Sequence, residues 1–350
     1  TDDSLIIVRM FSSSAATGLS LDLFREYGTD SYIGLITSIM MSCTETIFYY
    51  NVGLFSGGKG AKDAVDACGS TCIDSSGNCS KCFSGTPDEL KIKNRRITGK
   101  MKKYLAEFLG TFILTFMVCG AVSFTGGYAG YLGVVGIALT AGFTVAVLLY
   151  VFGTVSGAHC NPAVSAGMLI AGRLSVVDFM GYVVSQVFGA LAAAFALYGL
   201  SKSFDAQVIS QYQSYGYDLV GLGTNGYADT SAFLKINVWG AFVTELLLTF
   251  VFVLAFLCVT AKTAYKNVAG LVAGMAFCMA ELFGLVLTGA GINPAKSFGT
   301  AFVKAVFGDV KALSQVWVFL VAPLAGGLLA GLCSLYFYGK PRKKISRKET

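Results

Sequence analysis

Ser156-Gly157-Ala158-His159-Cys160-Asn161-Pro162-Ala163-Val164-Ser165 and Thr288-Gly289-Ala290-Gly291-Ile292-Asn293-Pro294-Ala295-Lys296-Ser297 are near copies. In each, Asn-Pro opens a short apolar stretch, from Asn161 to about Ile170 and from Asn293 to about Val306. Asparagine caps and proline occupies the first turn, which is how a helix starts. Neither stretch reaches the roughly 20 residues that cross a bilayer core. They read as re-entrant half-helices, a backbone tolerated at membrane depth only inside protein or beside a wet cavity. A lone Asn-Pro would read as a loop turn; two copies in matching apolar contexts argue against that.

The surrounding sequence supports a membrane setting. Of 350 residues, 55% are hydrophobic and 13% charged, about half the 25% charge of a soluble domain. This excludes a soluble enzyme, a disordered chain and a nucleic-acid binder. The 42 glycines against 5 prolines fit membrane helices in close contact. Six stretches are long and apolar enough to span, at roughly 104–124, 132–153, 176–200, 236–260, 267–288 and 314–337. Their carboxylates are Glu107, Asp178, Glu245 and Glu281, and a carboxylate within a span is a functional-site hypothesis by default. With Thr1 at its head, the chain reads as a fragment or a trimmed chain.

Lysine and arginine set the orientation. Lys91, Lys93, Arg95, Arg96, Lys100, Lys102 and Lys103 precede the first span, and Lys340, Arg342, Lys343, Lys344, Arg347 and Lys348 follow the last. Arg173, Lys262 and Lys266 fall on the same side if there are six spans, so that side is expected to be cytoplasmic. The alternative for the basic tail, nuclear localisation or nucleic-acid binding, fits less well directly after a span.

Upstream of each Asn-Pro motif lies a span with a glutamate, Glu107 in Ala106-Glu107-Phe108-Leu109-Gly110-Thr111 and Glu245 in Thr244-Glu245-Leu246-Leu247-Leu248-Thr249. The chain thus holds two copies of span, span, half-helix, span. Three spans is an odd number, so the copies lie inverted, and inverted repeats put the site at the bilayer midplane. There the half-helices would meet N-terminus to N-terminus, each end carrying partial positive charge and free N–H groups. Asn161 and Asn293 would turn their amides to the lumen. A passing water must then point its oxygen at both, which breaks a proton-conducting chain, while the facing dipoles repel cations.

These residues resemble the aquaporin and glycerol-facilitator family, the major intrinsic proteins, over about residues 100–340. The resemblance implies an all-α membrane fold of six transmembrane helices plus two re-entrant half-helices, passive transport without a cofactor, and a homotetramer in the lipid bilayer with one pore per subunit. Its pore motifs would be Asn161, Pro162, Ala163 and Asn293, Pro294, Ala295. Glu107 and Glu245 would accept hydrogen bonds from the re-entrant loops, Gln186 would support the first half-helix, and His159 would line the cytoplasmic vestibule, in a gating or a fixed role. Cys160 would be either a thiol-reactive pore residue or packed and inert.

The family's extracellular filter, carried over by ungapped spacing, falls on Ala141, Glu281, Ala290 and Lys296. Water-selective members usually have an aromatic, a histidine, a small residue and an arginine there, and only the small residue is kept. Alanine widens the ring, and lysine keeps a cation but loses the planar donor fork. An unpaired buried carboxylate at Glu281 would be costly, so a Glu281–Lys296 ion pair across the filter is expected; otherwise Glu281 turns away or is protonated. Ser297 after Lys296, and Ala301, favour a water-type member, since glycerol facilitators usually have aspartate after their arginine. Phe319 and Leu320 do not match the water-type aromatic pair.

The channel domain is expected over 91–340, with a basic tail at 341–350. Residues 1–90 stand outside it. About 23–65, including the apolar segment 31–55, resemble part of the gate domain of spore-maturation and nucleoside-transporter-like proteins, and read as a truncated remnant or a fusion. Cys68, Cys72, Cys79 and Cys82, spaced C-x3-C-x6-C-x2-C, read as a zinc site, two disulfides or neither.

The expected function is passive conduction of water and small neutral solutes such as glycerol, urea or ammonia, with no enzymatic activity and no nucleic-acid partner. The alternatives are an ion-coupled secondary transporter, with Glu281 and Lys296 as its one candidate coupling site, and a non-conducting scaffold of the same fold, which a plugged pore would favour.

Overall fold

The computed structural model describes residues 87–339 apart from 126, 128, 129, 215–218, 220, 232 and 262, with the backbone alone at 87–98 and 263. The chain divides between Ser84 and Gly85, and every described residue belongs to the second unit. The gate-like segment, the cysteines Cys68, Cys72, Cys79 and Cys82, and the tail 341–350 lie outside the described residues.

The described residues form helices joined by loops: α1 (Pro87–Phe124), α2 (Gly133–Phe152), α3 (Pro162–Ile170), α4 (Val176–Ser201), α5 (Ala206–Ser214), α6 (Val238–Ala261), α7 (Ala269–Gly284), α8 (Pro294–Val306) and α9 (Lys311–Tyr338). Five of them, α1 (over Gly99–Phe124), α2, α4, α6 and α9, are long and apolar enough to span. The span expected at 267–288 is realised as the shorter α7, which ends at Gly284 because the next residues are drawn into the loop before α8. Thr288 N and Ala290 N both bond back to Gly284 O, and the Thr288 hydroxyl is held by Glu245. The short polar helix α5 has no buried residue, and no apolar run in the sequence announces it.

Asp178 lies at the very start of its span rather than in its middle. It sits in the first turn of α4, where Ser175 caps the helix and accepts from Asp178 N. A carboxylate there complements the helix dipole and accepts from Tyr104 Oη at 3.3 Å. The sequence hides this placement because Val176 and Val177 extend the apolar run to the very start of the helix.

The outer faces carry apolar stripes at four-residue spacing. Leu105, Leu109, Ile113 and Met117 are exposed on α1, Leu139, Phe143, Val147 and Val151 on α2, and Leu271, Met275, Met279 and Phe283 on α7. In water such side chains would forgo about 1.5–3 kcal/mol each of burial, whereas hydrocarbon solvates them. The inner faces meet through small residues. Gly142 of α2 and Gly274 of α7 face each other's backbone, leaving no room for a β-carbon, which is the close approach expected in membranes.

The half-helices are exchanged between the repeats. Half-helix α3, from the first copy, packs on α9 of the second, with Gly327 against the Ala163 carbonyl. Half-helix α8, from the second copy, packs on α4 of the first, with Gly299 against Ala190. Each half-helix thus packs against the opposite repeat, α8 also lying against α9 of its own, and the crossing brings Asn161 and Asn293 together.

Candidate functional site

The paired motifs form as their sequence dictates. Asn161 caps α3, its Oδ1 accepting from Ala163 N at 2.8 Å, and Asn293 caps α8, accepting from Ala295 N at 3.0 Å. Both caps have extended backbone, and both helices have proline in the first turn. The two motifs are also tied together. Asn161 Nδ2 donates to Ile292 O at 3.1 Å, and Asn293 Nδ2 donates to Cys160 O at 2.8 Å. Each amide therefore uses its oxygen on its own helix and one N–H on the loop of the other repeat. The second N–H of each is not used in these bonds.

The repeat extends to backbone conformation. Ala158 and Cys160, three and one residues before the first asparagine, have φ of 49° and 47°; Ala290 and Ile292, at the same offsets before the second, have φ of 52° and 51°. The left-handed region costs a residue with a β-carbon about 1–2 kcal/mol, so these loops need support. Two buried glutamates supply it. Glu107 accepts from Ser156 Oγ at 2.6 Å, His159 N at 3.0 Å, Cys160 N at 2.7 Å and Gln186 Nε2 at 2.8 Å. Glu245 accepts from Thr288 Oγ1 at 2.6 Å, Gly291 N at 2.7 Å and Ile292 N at 2.7 Å. Ser156 matches Thr288, His159 matches Gly291 and Cys160 matches Ile292.

Gln186 bonds both Glu107 and Ser165 Oγ, the latter at 3.1 Å. His159 is buried, its Nδ1 3.0 Å from Ser165 Oγ and its ring edge-on to Tyr182 at 5.1 Å. With its amide also held by Glu107, these contacts favour the fixed role over a swinging gate. The His159 ring, Cys160 and Asn161 border a cavity of about 10 Å³ walled by Val145, Phe252, Phe256 and Phe277, about the room one water needs. Cys160 is 3% exposed, and its Sγ fills the space that Gly110 leaves on α1, so it is packed.

At the expected filter, Ala141, Glu281 and Ala290 are 0% exposed and Lys296 is 1% exposed. Lys296 Nζ donates to Ala290 O at 2.7 Å and lies 3.9 Å from Glu281 Oε1. Glu281 thus lies beside Lys296, as the charge argument favoured over a carboxylate turned away, although the ammonium's direct hydrogen bond goes to the loop carbonyl. Ala141 and Ala290 share one buried cluster with Ile292, Ala163 and Phe277.

Some site residues carry little or no signal in the sequence. Asn225, buried in the loop after α5, donates to Gly289 O at 2.8 Å and accepts from Ser297 Oγ at 2.8 Å. It does for the second half-helix what Gln186 does for the first. Its only local signal is an asparagine among the glycines Gly221, Gly223 and Gly226. Ser165 and Ser297, each four residues after a motif asparagine, are visible as a repeated hydroxyl. Arg173 donates to Leu257 O at 2.8 Å and Thr260 O at 2.8 Å, capping the C-terminal carbonyls of α6, where a cation is favoured.

The profile of the major intrinsic protein family matches residues 94–334. Aquaporin Z of Rhodopseudomonas palustris is 37% identical over 232 residues, covering 66% of this chain and 90% of its own length. A glycerol uptake facilitator-like protein of Lactiplantibacillus plantarum is 37% identical over 235 residues, covering 67% and 97%. Among solved structures, the aquaglyceroporin of Plasmodium falciparum aligns with a TM-score of 0.56 at 24% identity, over 67% of this chain and 95% of its own, a likeness of fold. The chain belongs to the major intrinsic protein family, and it is an integral membrane channel, not an enzyme.

Proposed function

We propose that the chain conducts water and small neutral solutes passively, excluding protons and cations at the Asn161 and Asn293 motifs, with the basic flanks of the channel domain in the cytoplasm and four copies assembled in the bilayer. The observation that carries this is the crossed pair of asparagine bonds, each amide anchored on its own helix and on the opposite loop. It fixes two donors at the junction of two helix N-termini, where a water in transit must orient its oxygen toward both. Relatives named Aquaporin Z and glycerol uptake facilitator-like fall at equal identity, which supports a mixed solute range. The altered filter at Ala141, Glu281, Ala290 and Lys296 sets that range.

The test is stopped-flow light scattering on proteoliposomes given an osmotic step, with a pH dye trapped inside. Shrinkage faster than in protein-free vesicles, with no proton leak, is expected. Shrinkage at the protein-free rate refutes conduction. One observation favours the non-conducting scaffold as the second reading: all four filter side chains are buried. The same protein-free rate is its signature.

A further inference from the structure

Among the described residues, Glu107, Glu245 and Glu281 are fully buried. The first two have both oxygens filled by fixed donors of the protein. Glu281 does not: neither of its oxygens has a hydrogen-bond partner. Lys296 Nζ is near it at 3.9 Å, beyond hydrogen-bond reach, and is held by Ala290 O instead. A buried carboxylate without donors is expensive, and each such group calls for an explanation. Glu107 and Glu245 brace loops; Glu281 braces nothing.

We propose that Glu281 is the specificity-determining acceptor of the filter, selecting small amides of the urea type over diols of equal size. The inference rests on the channel reading and deepens it. Two carboxylate oxygens side by side match two parallel N–H groups on a planar frame, the geometry of bidentate guanidinium recognition. A urea-type amide presents such a fork. Its carbonyl needs a donor, and the Lys296 ammonium stands beside Glu281 to give one. The Ala290 carbonyl, with a second lone pair, is a further acceptor. The site therefore offers more acceptors than donors, which suits a solute with several N–H groups and one carbonyl. A diol has no fork, and its two flexible O–H groups must be frozen to imitate one. The alanines at 141 and 290 add no competing polar group. Lys296 is held by the Ala290 carbonyl, so a solute that takes its donor must part the two, and one that fills the empty acceptors on Glu281 compensates for that loss.

The experiment uses the full chain in proteoliposomes and follows swelling in urea and in ethylene glycol, both of four heavy atoms, after subtraction of protein-free leakage. Wild type is expected to pass urea at least about tenfold faster, the worth of one charge-assisted hydrogen bond. In Glu281→Met the preference should collapse toward parity, and in Glu281→Asp, which keeps the carboxylate, it should survive in part. A wild-type ratio near one overturns the inference, even if Glu281→Met fails to insert. A preference kept in inserted Glu281→Met also overturns it. Water flux with no urea preference sinks this inference alone, whereas no water flux in wild type sinks the channel reading with it.

Discussion

Glu107→Gln isolates what a buried carboxylate does for a re-entrant loop. The substitution keeps size and shape but turns one acceptor oxygen into an N–H2 donor. Four donors converge on the native carboxylate: Ser156 Oγ, His159 N, Cys160 N and Gln186 Nε2. Two can adapt. The Ser156 hydroxyl can rotate to accept, and Gln186 can turn its amide over, since its Oε1 has no partner. The backbone amides of His159 and Cys160 cannot, so whichever oxygen is replaced, one buried N–H is left facing a donor. An unsatisfied buried donor costs about 1–3 kcal/mol. Taking about 2 kcal/mol, at 2–4 °C per kcal/mol, the apparent melting temperature should fall by roughly 4–8 °C. The loop also holds Ala158 and Cys160 in the left-handed region, and the Cys160 carbonyl accepts from Asn293. Released strain there should disturb both motifs, so water permeability should fall as well. Thermal unfolding in detergent, paired with osmotic shrinkage of proteoliposomes, reads both effects. A melting temperature within about 1 °C of wild type, with unchanged flux, would refute the view that Glu107 braces the pore loop.

Asn225→Ala removes the Gly289 and Ser297 bonds and should destabilise by about 1–3 kcal/mol, seen as a lowered melting temperature; an unchanged value would count against Asn225 as the brace of the second half-helix. Cys160 Sγ packs against α1, so a mercurial should inhibit water flux no more in wild type than in Cys160→Ser, and greater sensitivity of wild type would place that thiol in the lumen.

Much of the fold is legible in the amino-acid sequence because it follows from short, local rules. Span lengths follow from bilayer thickness. The half-helix starts follow from Asn-Pro chemistry, and the inversion follows from an odd number of spans between two copies. The roles of Glu107 and Glu245 are accessible because the copies repeat them at the same relative place. Even the Glu281–Lys296 juxtaposition can be reasoned from charge, once spacing puts both at the filter.

Other features depend on distance in the folded chain. Asp178 lies in an apolar run, and only the helix start at Val176 makes it a first-turn residue complementing the dipole. Helix α7 stops at Gly284 because partners far along the chain, Glu245 on α6 and Asn225 in a loop, capture the residues that follow. Asn225 itself carries no periodicity or motif, and its role exists only because that loop folds onto α8. Lys296 gives its hydrogen bond to Ala290 O rather than to Glu281, a choice made by where a left-handed backbone turn points one carbonyl. Sequence alone determined the number and kind of most elements, since helix starts and spanning lengths depend on neighbouring residues and on solvent. Tertiary structure alone decided which buried acceptors are filled and which stand empty, because hydrogen-bond satisfaction depends on partners brought within about 3 Å from anywhere in the chain.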